Sequence, residues 1–253
     1  MIKSIADIKN EFEQANENER IALCELYQED TRSGVQKIMQ AVRKKARKEE
    51  QEQARVEDMC RYEKEYEEYA YICGIDEVGR GPLAGPVVAG AVILPKHCRI
   101  KYMNDSKKLS AAKREMLYDE IMEKAISVGV GIVSPAVIDE INILQATYEA
   151  MRQAIEKLSV TPTLLLNDAV TIPEVNMKQV PIVKGDAKSI SIAAASIVAK
   201  VTRDKLMVEY DHILPGYGFA SNKGYGSALH IEALKTLGAT PIHRNSFIRN
   251  FIS

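Results

Sequence analysis

Two adjacent carboxylates, Asp76 and Glu77, are the residues of this 253-residue chain whose types and spacing most directly suggest chemistry. They follow a short apolar run, Tyr71 to Ile75, and precede Gly79-Arg80-Gly81. Adjacent strand residues point to opposite faces of a sheet, so Asp76 should enter a site directly and Glu77 should approach from the strand end. Carboxylates beside a loop with accessible backbone N–H groups suit divalent cations and a sugar-phosphate backbone.

The same stretch also has simpler interpretations. Acid pairs near strand ends are usually solvated, and glycine-rich turns often only reverse the chain. A dinucleotide-binding motif is disfavoured, because Gly79, Gly81 and Gly85 do not have the G-x-G-x-x-G spacing and a strand pattern follows where that motif requires a helix. On these residues alone, both the solvated turn and the metal and phosphate site stay open.

Two further acids lie at the ends of predicted elements. The apolar run Thr163 to Leu166 is typical of a strand buried on both faces, which places Asp168 at the carboxyl end of a central strand, where open α/β sheets bind ligands. Asp186 lies just ahead of a helix predicted to begin at Ser189. Since the positive end of a helix favours an anion, Asp186 should be ionised and ready to bind metal or orient water.

Several motifs occur in an order that resembles bacterial ribonuclease HII. The resemblance spans roughly residues 70 to 250 and excludes the first seventy, and chance similarity is disfavoured because separate motifs recur in order. The motif around the acid pair reads GIDEVGRGPLAGPVVAGAVIL. The matching segments are Gly74–Leu94, Asp105–Ser110, Asp168, Lys184–Asp204, Tyr217–His230 and His243–Phe247.

The resemblance implies an α/β fold, a ribonuclease H-like mixed sheet flanked by helices. Such a fold would bring Asp76, Glu77, Asp168 and Asp186 together as catalytic and metal-binding residues. It also implies hydrolysis that leaves a 3′-hydroxyl and a 5′-phosphate, with an RNA/DNA hybrid or a DNA duplex containing ribonucleotides as substrate. One departure is Ala169, where the family would be expected to have glycine more often, and this affects only the local backbone.

Gathering four acids is costly unless cations neutralise them. Hard oxygen ligands without histidine or cysteine suit Mg²⁺ or Mn²⁺ better than Zn²⁺. Two such ions about 4 Å apart can activate water and stabilise both the entering and leaving oxygens of an in-line attack on a phosphodiester. The expected cofactor is therefore Mg²⁺ or Mn²⁺, with two ions present when substrate is bound.

Substrate contacts are expected near the acid-bearing segments. For any single lysine there, an ordinary surface role is the simplest explanation. One or two of these lysines should nevertheless contact phosphate. Lys107 and Lys184 are the preferred candidates, and Lys108 and Lys188 are the others. His230 and His243 are not needed for this mechanism and are predicted to be structural.

Discrimination between ribose and deoxyribose requires a group that senses the 2′-hydroxyl. Gly79, Arg80 and Gly81 offer backbone groups that can approach this hydroxyl closely. Tyr225, between two glycines, could pack its ring against the next sugar, where a deoxyribose fits. The alternatives are that Tyr225 only packs the loop, or that Tyr217 takes this role.

The remaining pattern predicts a small all-helical N-terminal domain over residues 1–69 and a catalytic domain over residues 70–253. Ser4 and Asn18 are predicted helix N-caps. Seven basic residues and no acid occur between Arg32 and Lys48, so this domain either contacts phosphates or is only a solvated linking helix. The catalytic part is predicted to have strands over 71–76, 87–94, 127–133, 163–168 and 180–183, and helices over 111–125, 136–158, 189–210 and 231–237.

Composition sets the outer bounds of function. A formal charge of −1 argues against a generally basic nucleic-acid binder, although residues 71–253 hold 21 Lys and Arg against 18 Asp and Glu. Four scattered cysteines and no membrane-length apolar run predict a cytoplasmic protein without membrane contact, here expected to be a monomer. The alternative functions are a DNA nuclease of the same superfold and a non-catalytic nucleic-acid-binding protein with structural metal.

Overall fold

The computed structural model describes residues 3–252, which form two compact units, one up to Glu57 and the other from Asp58 onward. This division lies ahead of the predicted boundary between residues 69 and 70. Residues 58–69 therefore group with the second unit. The predicted domain limits, 1–69 and 70–253, stay a prediction about which parts fold independently.

Helices form the first unit, as predicted. Helix α1 spans Ile5–Gln14, α2 spans Glu17–Leu26, and the long α3 spans Ser33–Met59. Apolar positions at helical spacing build a small core, because they place their side chains on one face of each helix. The buried members of that core are Ile8, Phe12, Cys24, Val35 and Met39.

Side-chain caps start the first two helices. Ser4 and Asp7 form the predicted capping box of α1. The N-cap of α2 is Asn16, however, and the prediction of Asn18 is wrong. Asn16 Oδ1 accepts the N–H of Glu19 at 3.0 Å, and the Glu19 carboxylate accepts the N–H of Asn16 at 2.7 Å, whereas Asn18 lies inside the helix.

A five-stranded mixed sheet forms the centre of the second unit. Its order is β3-β2-β1-β4-β5, in which β1 and β2 as well as β2 and β3 are antiparallel, while β1 and β4 as well as β4 and β5 are parallel. Because β1 is the central strand, with β2 on one side and β4 on the other, residues at its carboxyl end lie between neighbouring strands. The strands are β1 Ile72–Val78, β2 Val87–Ile93, β3 Ser127–Val133, β4 Leu164–Asp168 and β5 Gln179–Ile182.

Helices cover the sheet, and small residues let them approach it closely. The long helix α7 packs on β1 and β2, and its predicted alanine run, Ala193 to Ala195, is fully buried. A Cβ atom on Gly90 of β2 would lie 2.5 Å from the carbonyl oxygen of Ala195, so only glycine permits this contact. The helices of this unit are α4 Arg61–Glu65, α5 Ala111–Lys124, α6 Pro135–Glu156, α7 Ile190–Ile213, α8 Phe219–Asn222, α9 Ala228–Leu237 and α10 Asn245–Ile248.

Two helices differ from their predicted form. Helix α6 is interrupted at Asn142, which has a φ of 66° and whose side chain accepts the N–H groups of Leu144 and Gln145, so it restarts the helix as an internal cap. Helix α9 begins at Ala228, ahead of the predicted start, because Ser227 caps it. Within residues 3–252, the helices include none that is both long and apolar enough to cross a bilayer.

Candidate active site

Asp76 and Asp168 lie at the ends of neighbouring parallel strands. Ile75 of β1 pairs with Asn167 of β4, so the acid that follows each of these residues reaches the same edge of the sheet. Asp76 is only 5% exposed, and its Oδ1 accepts the backbone N–H of Glu77 at 2.8 Å. The structure therefore brings together two of the predicted acids, which are far apart in the sequence.

Asp186 reaches this edge on a short 3₁₀ turn, Gly185–Ala187, ahead of α7. Asp168 Oδ1 accepts the N–H of Gly185 at 2.7 Å, which links the turn to the end of β4. Asp186 itself is buried, as are the first residues of α7. The turn thus brings a third predicted acid to the others.

The pKa values of the acids show that they are buried and that they repel one another. Burial, with the charges of Glu77 and Asp168, raises the pKa of Asp76 well above its usual range. Burial also raises the pKa of Glu77, although Arg80 opposes this, and the charge of Asp168 adds to it. Burial raises the pKa of Asp186 as well, together with the charges of Asp105 and Asp168. These shifts are those expected where carboxylates are gathered without a neutralising cation.

Asp105 and Lys107 complete the charged cluster. Burial alone would lower the pKa of Lys107, but the negative charges of Asp76, Asp105, Asp186 and Glu77 outweigh it and leave this pKa raised. Asp105 also accepts the N–H of Lys107 at 2.9 Å. Lys107 therefore lies where it was predicted, whereas Asp105 was missed. The signal for it was an acid at the first position of the DSKKLS motif.

These acids have the chemistry of a site for hard divalent cations. They offer only carboxylate oxygens, and a positive ion would offset both the burial and the mutual repulsion that raise their pKa values. As the side chains stand, no three acidic, histidine or cysteine residues of the described chain are gathered closely enough to enclose an ion. Binding would therefore require side-chain rotations of acids that include the buried Asp76 and Asp186.

The backbone after Asp168 explains the departure at Ala169. Ala169 has a φ of 58°, in the left-handed region that favours glycine. Its N–H donates to the carbonyl of Ile182 at 3.1 Å, so the strained conformation is held by the neighbouring strand. Ala169 therefore adopts the left-handed backbone conformation that glycine adopts readily, which for alanine raises the conformational free energy by about 1 kcal/mol.

The other predicted lysines surround the cluster at different depths. Lys184 is exposed and has a left-handed φ of 57° immediately before the turn that carries Asp186. Lys188 is half-buried beyond the same turn. Lys108 is mostly exposed and lies 4.0 Å from Asp105. Arg80 is also partly exposed, and its guanidinium lies 3.5 Å from the carboxylate of Glu77.

A buried arginine holds the glycine-arginine-glycine loop in place. Arg244 is fully buried, and its guanidinium donates to the carbonyls of Gly79 at 2.5 Å, Arg80 at 2.9 Å and Gly85 at 2.8 to 3.0 Å. Burial and the charge of Arg203 lower the pKa of Arg244 to about 9, so the side chain stays charged at neutral pH. The sequence analysis missed this residue, for which the signal was an arginine in the HRNSF motif.

A second missed arginine, Arg203 of α7, supports the adjoining segment. It is fully buried and donates to the carbonyls of Ala84, Pro86 and Lys223. Gly79 has a φ of 93°, and a Cβ atom there would lie 2.3 Å from Nε of Arg203. Packing against Arg203 therefore explains Gly79 without a ligand, which differs from its expected role of leaving room for a sugar.

Gly81 and Tyr225 form the accessible part of this loop. Tyr225 is 45% exposed, and Cε1 of its ring lies 3.9 Å from the position of a Cβ atom on Gly81. Tyr217 is buried, stacks on Phe219 with ring centroids 5.2 Å apart, and donates its hydroxyl to the carbonyl of Gly238. Of the two predicted tyrosines, only Tyr225 is placed to touch a ligand beside Gly81.

The two buried histidines form a directed chain of hydrogen bonds. The N–H of Thr240 donates to Nδ1 of His243, so the proton of His243 is on Nε2 and points to Nε2 of His230, 3.0 Å away. Nδ1 of His230 then donates to the carbonyl of Tyr225 at 2.8 Å. Both rings are neutral in this arrangement, as their predicted structural role requires.

Comparisons with known proteins agree with the fold and the motifs. The family model for ribonuclease HII matches residues 73–250, and the model for the ribonuclease HII N-terminal domain matches residues 4–67. Ribonuclease HII of Lachnoclostridium phytofermentans is 66% identical over 249 residues, 98% of each chain. Ribonuclease HII of Clostridioides difficile is 50% identical over 252 residues, 99% of each chain.

Solved structures show the same architecture. Ribonuclease H2 from Pyrococcus horikoshii matches 72% of this chain and 96% of its own, with a TM-score of 0.58 and 27% identity. Ribonuclease HII of Archaeoglobus fulgidus, solved in complex with PCNA, matches 69% and 93%, with a TM-score of 0.56 and 27% identity. Bst-RNase HIII in complex with Mn²⁺ matches 70% and 67%, with a TM-score of 0.53, and at 16% identity it supports the fold alone.

The mixed sheet and its flanking helices define the ribonuclease H-like class, as predicted. Within that class, the chain belongs to the ribonuclease HII family. It is accordingly a ribonuclease H, an endonuclease that acts on RNA paired with DNA.

Proposed function

We propose that this ribonuclease H depends on Mg²⁺ or Mn²⁺ and uses Asp76, Glu77, Asp168 and Asp186 to hold two cations with substrate bound. The observation that carries the proposal is the placement of these acids at one edge of the sheet, where burial, together with the charges of neighbouring acids, raises the pKa of Asp76, Glu77 and Asp186. The Mn²⁺ bound by Bst-RNase HIII, a protein of the same fold, adds support.

The proposed reaction cleaves a phosphodiester and leaves a 3′-hydroxyl and a 5′-phosphate. When bound, the cations would activate a water molecule and stabilise the charge on the entering and leaving oxygens. The four carboxylates hold the cations, and Lys107 keeps its positive charge beside the acids, where it can contact a phosphate. Lys184 is exposed next to the turn of Asp186 and offers a second phosphate contact.

The proposed substrates include RNA/DNA hybrids and DNA duplexes that contain single ribonucleotides. Backbone groups of Gly79, Arg80 and Gly81 contact the 2′-hydroxyl, and Arg244 holds the loop in place by donating to the carbonyls of Gly79 and Arg80. The exposed ring of Tyr225 packs against the next sugar, which must be a deoxyribose to fit. Tyr217 is set aside because its ring and hydroxyl are already engaged.

The first unit is proposed to raise substrate affinity without doing chemistry. The basic cluster of its long helix α3, between Arg43 and Lys48, is exposed, whereas none of the four acids lies in this unit. Charged side chains on a solvated helix suit contacts with phosphates. The exposed basic residues are Arg43, Lys44, Lys45, Arg47 and Lys48.

We also propose that the enzyme acts as a monomer in the cytoplasm. All four acids come from one chain, so a partner copy is not needed to complete the site. The four cysteines, Cys24, Cys60, Cys73 and Cys98, are not joined in disulfides, which suits a reducing compartment. Sedimentation with and without substrate tests the monomer, since a stable dimer would contradict it.

The test of this function compares three duplexes that differ only in ribose content: an RNA/DNA hybrid, a DNA duplex with one ribonucleotide, and an all-DNA duplex. We expect cleavage of the first two in Mg²⁺ or Mn²⁺, no cleavage with EDTA, and no cleavage of all-DNA. Equal cleavage of all three would support a DNA nuclease, and cleavage in EDTA would contradict the role of metal. Asp119→Asn, on the exposed face of α5, is the control for loss of a remote carboxylate.

A further inference from the structure

Glu63, in the short helix α4, makes a buried contact with the start of α7. Its Oε1 accepts the hydroxyl of Ser189 at 2.6 Å and the backbone N–H of Ser191 at 3.0 Å. Its Oε2 is shielded from solvent and finds no hydrogen-bond donor among the described residues. A small cavity of about 40 Å³ adjoins this carboxylate and the side chain of Cys60. Glu63 lies outside residues 73–250, which the family model for the catalytic part matches.

A buried acid of this kind requires an explanation. Burial raises the pKa of Glu63, because removing the carboxylate from water is energetically unfavourable. One of the unpaired backbone N–H groups at the start of the helix, that of Ser191, is satisfied in return, and the hydroxyl of Ser189 donates to the same oxygen. The contact therefore fixes the orientation of Ser189, which is itself the N-cap of α7.

The first turns of α7 connect Glu63 to the acid cluster. The N–H of Ser189 donates to the carbonyl of Gly185 at 2.8 Å, which holds the turn that carries Asp186. On the other side, a Cβ atom on Gly74 would lie 2.0 Å from the backbone carbon of Ser191, so α7 lies directly on β1 just before Asp76. Further along α7, the hydroxyl of Ser196 lies 2.9 Å from that of Ser106, and the side chain of Ser196 opposes the rise in the pKa of Asp76.

We infer that Glu63 is a positioning residue of the active site, which holds the start of α7 so that Asp186 and Asp76 are placed to share cations. Glu63 touches neither substrate nor metal in this scheme. It acts through Ser189 and Ser191. This inference rests on the proposed metal-dependent function. It deepens that function by giving a residue outside the catalytic family-model match, and inside residues 4–67 matched by the N-terminal-domain model, a role in placing the acids.

Three substitutions separate hydrogen bonding from charge. Glu63→Gln keeps an oxygen acceptor at the same reach, so it should preserve the position of α7. Glu63→Asp keeps the charge but shortens the side chain, and Glu63→Ala removes the contact. Both should raise the Mn²⁺ concentration for half-maximal binding about tenfold, the lower limit for loss of a residue that orients metal ligands from outside. The matched control is Ser134→Ala, which removes the serine N-cap of a different helix, α6.

Two measurements on the full chain test the inference. Amide hydrogen exchange of the metal-free protein should show lost protection at Ser191 and Ile192 in Glu63→Asp and Glu63→Ala but not in Ser134→Ala. Calorimetric titration with Mn²⁺ should then show weaker binding in the same two variants, with Glu63→Gln close to wild type. These readings do not depend on cleavage, so they stay distinct from failure of the proposed function.

The opposite pattern would overturn the inference. If Glu63→Asp binds Mn²⁺ as wild type does and Glu63→Gln does not, the charge of the carboxylate matters and its hydrogen bonds do not. If all three variants bind Mn²⁺ normally and keep their exchange protection, Glu63 has no positioning role. Should Glu63→Ala fail to fold, the comparison of Glu63→Gln with Glu63→Asp decides the question alone.

Discussion

The acid cluster and the glycine-arginine-glycine loop lie in the same unit but manage charge in opposite ways. At the cluster, negative groups are gathered with Lys107 as a nearby cation, and their pKa values are raised. At the loop, Arg244 and Arg203 are buried with their charges surrounded by backbone carbonyls. One region has unbalanced charge, as the proposed cation site requires, and in the other the buried charges are met by hydrogen-bond acceptors.

This difference separates chemistry from recognition. Unbalanced acids contribute little to stability, because each additional charge repels the others. Satisfied arginines contribute to stability, because removing one leaves several carbonyls unpaired. Substitutions in the acid cluster should therefore lower activity and raise stability. Substitutions of the arginines at the loop should lower both activity and stability.

The largest expected effect is that of Asp76→Asn. We expect the rate of cleavage to fall by about three orders of magnitude or more, since the neutral side chain cannot hold a cation. The metal-free protein should nevertheless become more stable, because a buried charge among like charges is removed. A gain of about 1 kcal/mol would raise Tm by about 2 to 4 °C. A Tm below that of wild type, measured by calorimetry with EDTA, would contradict the account of this cluster.

Arg244→Lys should instead lower both stability and activity. Lysine keeps the charge but cannot donate to the carbonyls of Gly79, Arg80 and Gly85 together. We expect a loss of about 2 to 4 kcal/mol in the free energy of unfolding, measured with urea. Arg152→Lys is the control, because Arg152 pairs with Glu149 at the surface. An equal, small loss in both variants would show that Arg244 does not stabilise the loop.

Much of the catalytic unit could be predicted from sequence because local patterns determine it. The leucines before Asn167 and Asp168 form an unbroken apolar run, so the strand, its burial and the position of the carboxylate all follow. Asp76 could be assigned on similar grounds. The mixed sheet and the meeting of these acids came from the resemblance to a known family, and the strand order was not predicted, since no local pattern states which strands are neighbours.

Long-range contacts account for what the sequence analysis missed. Arg244 donates to Gly79, which lies 165 positions away, and no spacing rule predicts such a pair. Asn18 was chosen as a cap because its residue type is suitable, but Asn16 has Glu19 at the spacing that closes a capping box. Asp105 belongs to a motif whose lysines drew attention first, although its charge acts directly on Asp186.

The histidine pair gives the loop a predictable dependence on pH. Burial and the neighbouring His230 lower the pKa of His243 to about 4, below the value of about 6.5 for an unfolded chain. The neutral ring of His243 therefore contributes its full stabilisation of the fold above pH 6.5. This contribution is lost as pH falls towards 4, because a charged ring cannot accept the N–H of Thr240. The free energy of unfolding should fall by about 2 to 3 kcal/mol over this range.

A substitution isolates this contribution. His243→Gln should be less stable than wild type at pH 7 and should show a flatter dependence on pH between 6.5 and 4. Urea unfolding at several pH values measures both. Parallel curves for the two proteins would show that other groups, and not His243, cause the loss of stability in acid.

A smaller effect is expected from Tyr225→Ala. The exposed ring contributes little to the fold, so the free energy of unfolding should change by less than about 0.5 kcal/mol. Cleavage at a single ribonucleotide should fall about tenfold, the loss expected when one aromatic contact is removed. Tyr225→Phe keeps the ring and should retain most activity. An unchanged rate in the folded Tyr225→Ala protein would remove Tyr225 from the recognition scheme.

The smallest expected effect concerns the basic helix of the first unit. Replacing Lys44 and Lys48 with glutamine should raise KM a few-fold and leave kcat unchanged. The dependence of substrate binding on salt should also weaken, by about one unit of slope for each lost phosphate contact. Lys9→Gln, which removes an exposed lysine of a different helix, α1, is the control. Identical salt dependence in the variant and in wild type would favour a purely linking role for this helix.

The most direct test of the acid cluster is the behaviour of Asp168→Asn on a DNA duplex with one ribonucleotide. Substrate binding, followed by fluorescence anisotropy, and single-turnover cleavage would be measured over the same range of Mg²⁺ concentrations. The account predicts that binding stays within a few-fold of wild type while cleavage is abolished at every Mg²⁺ concentration. Turnover close to that of wild type in Mg²⁺ would contradict the assignment of Asp168, and with it the metal site.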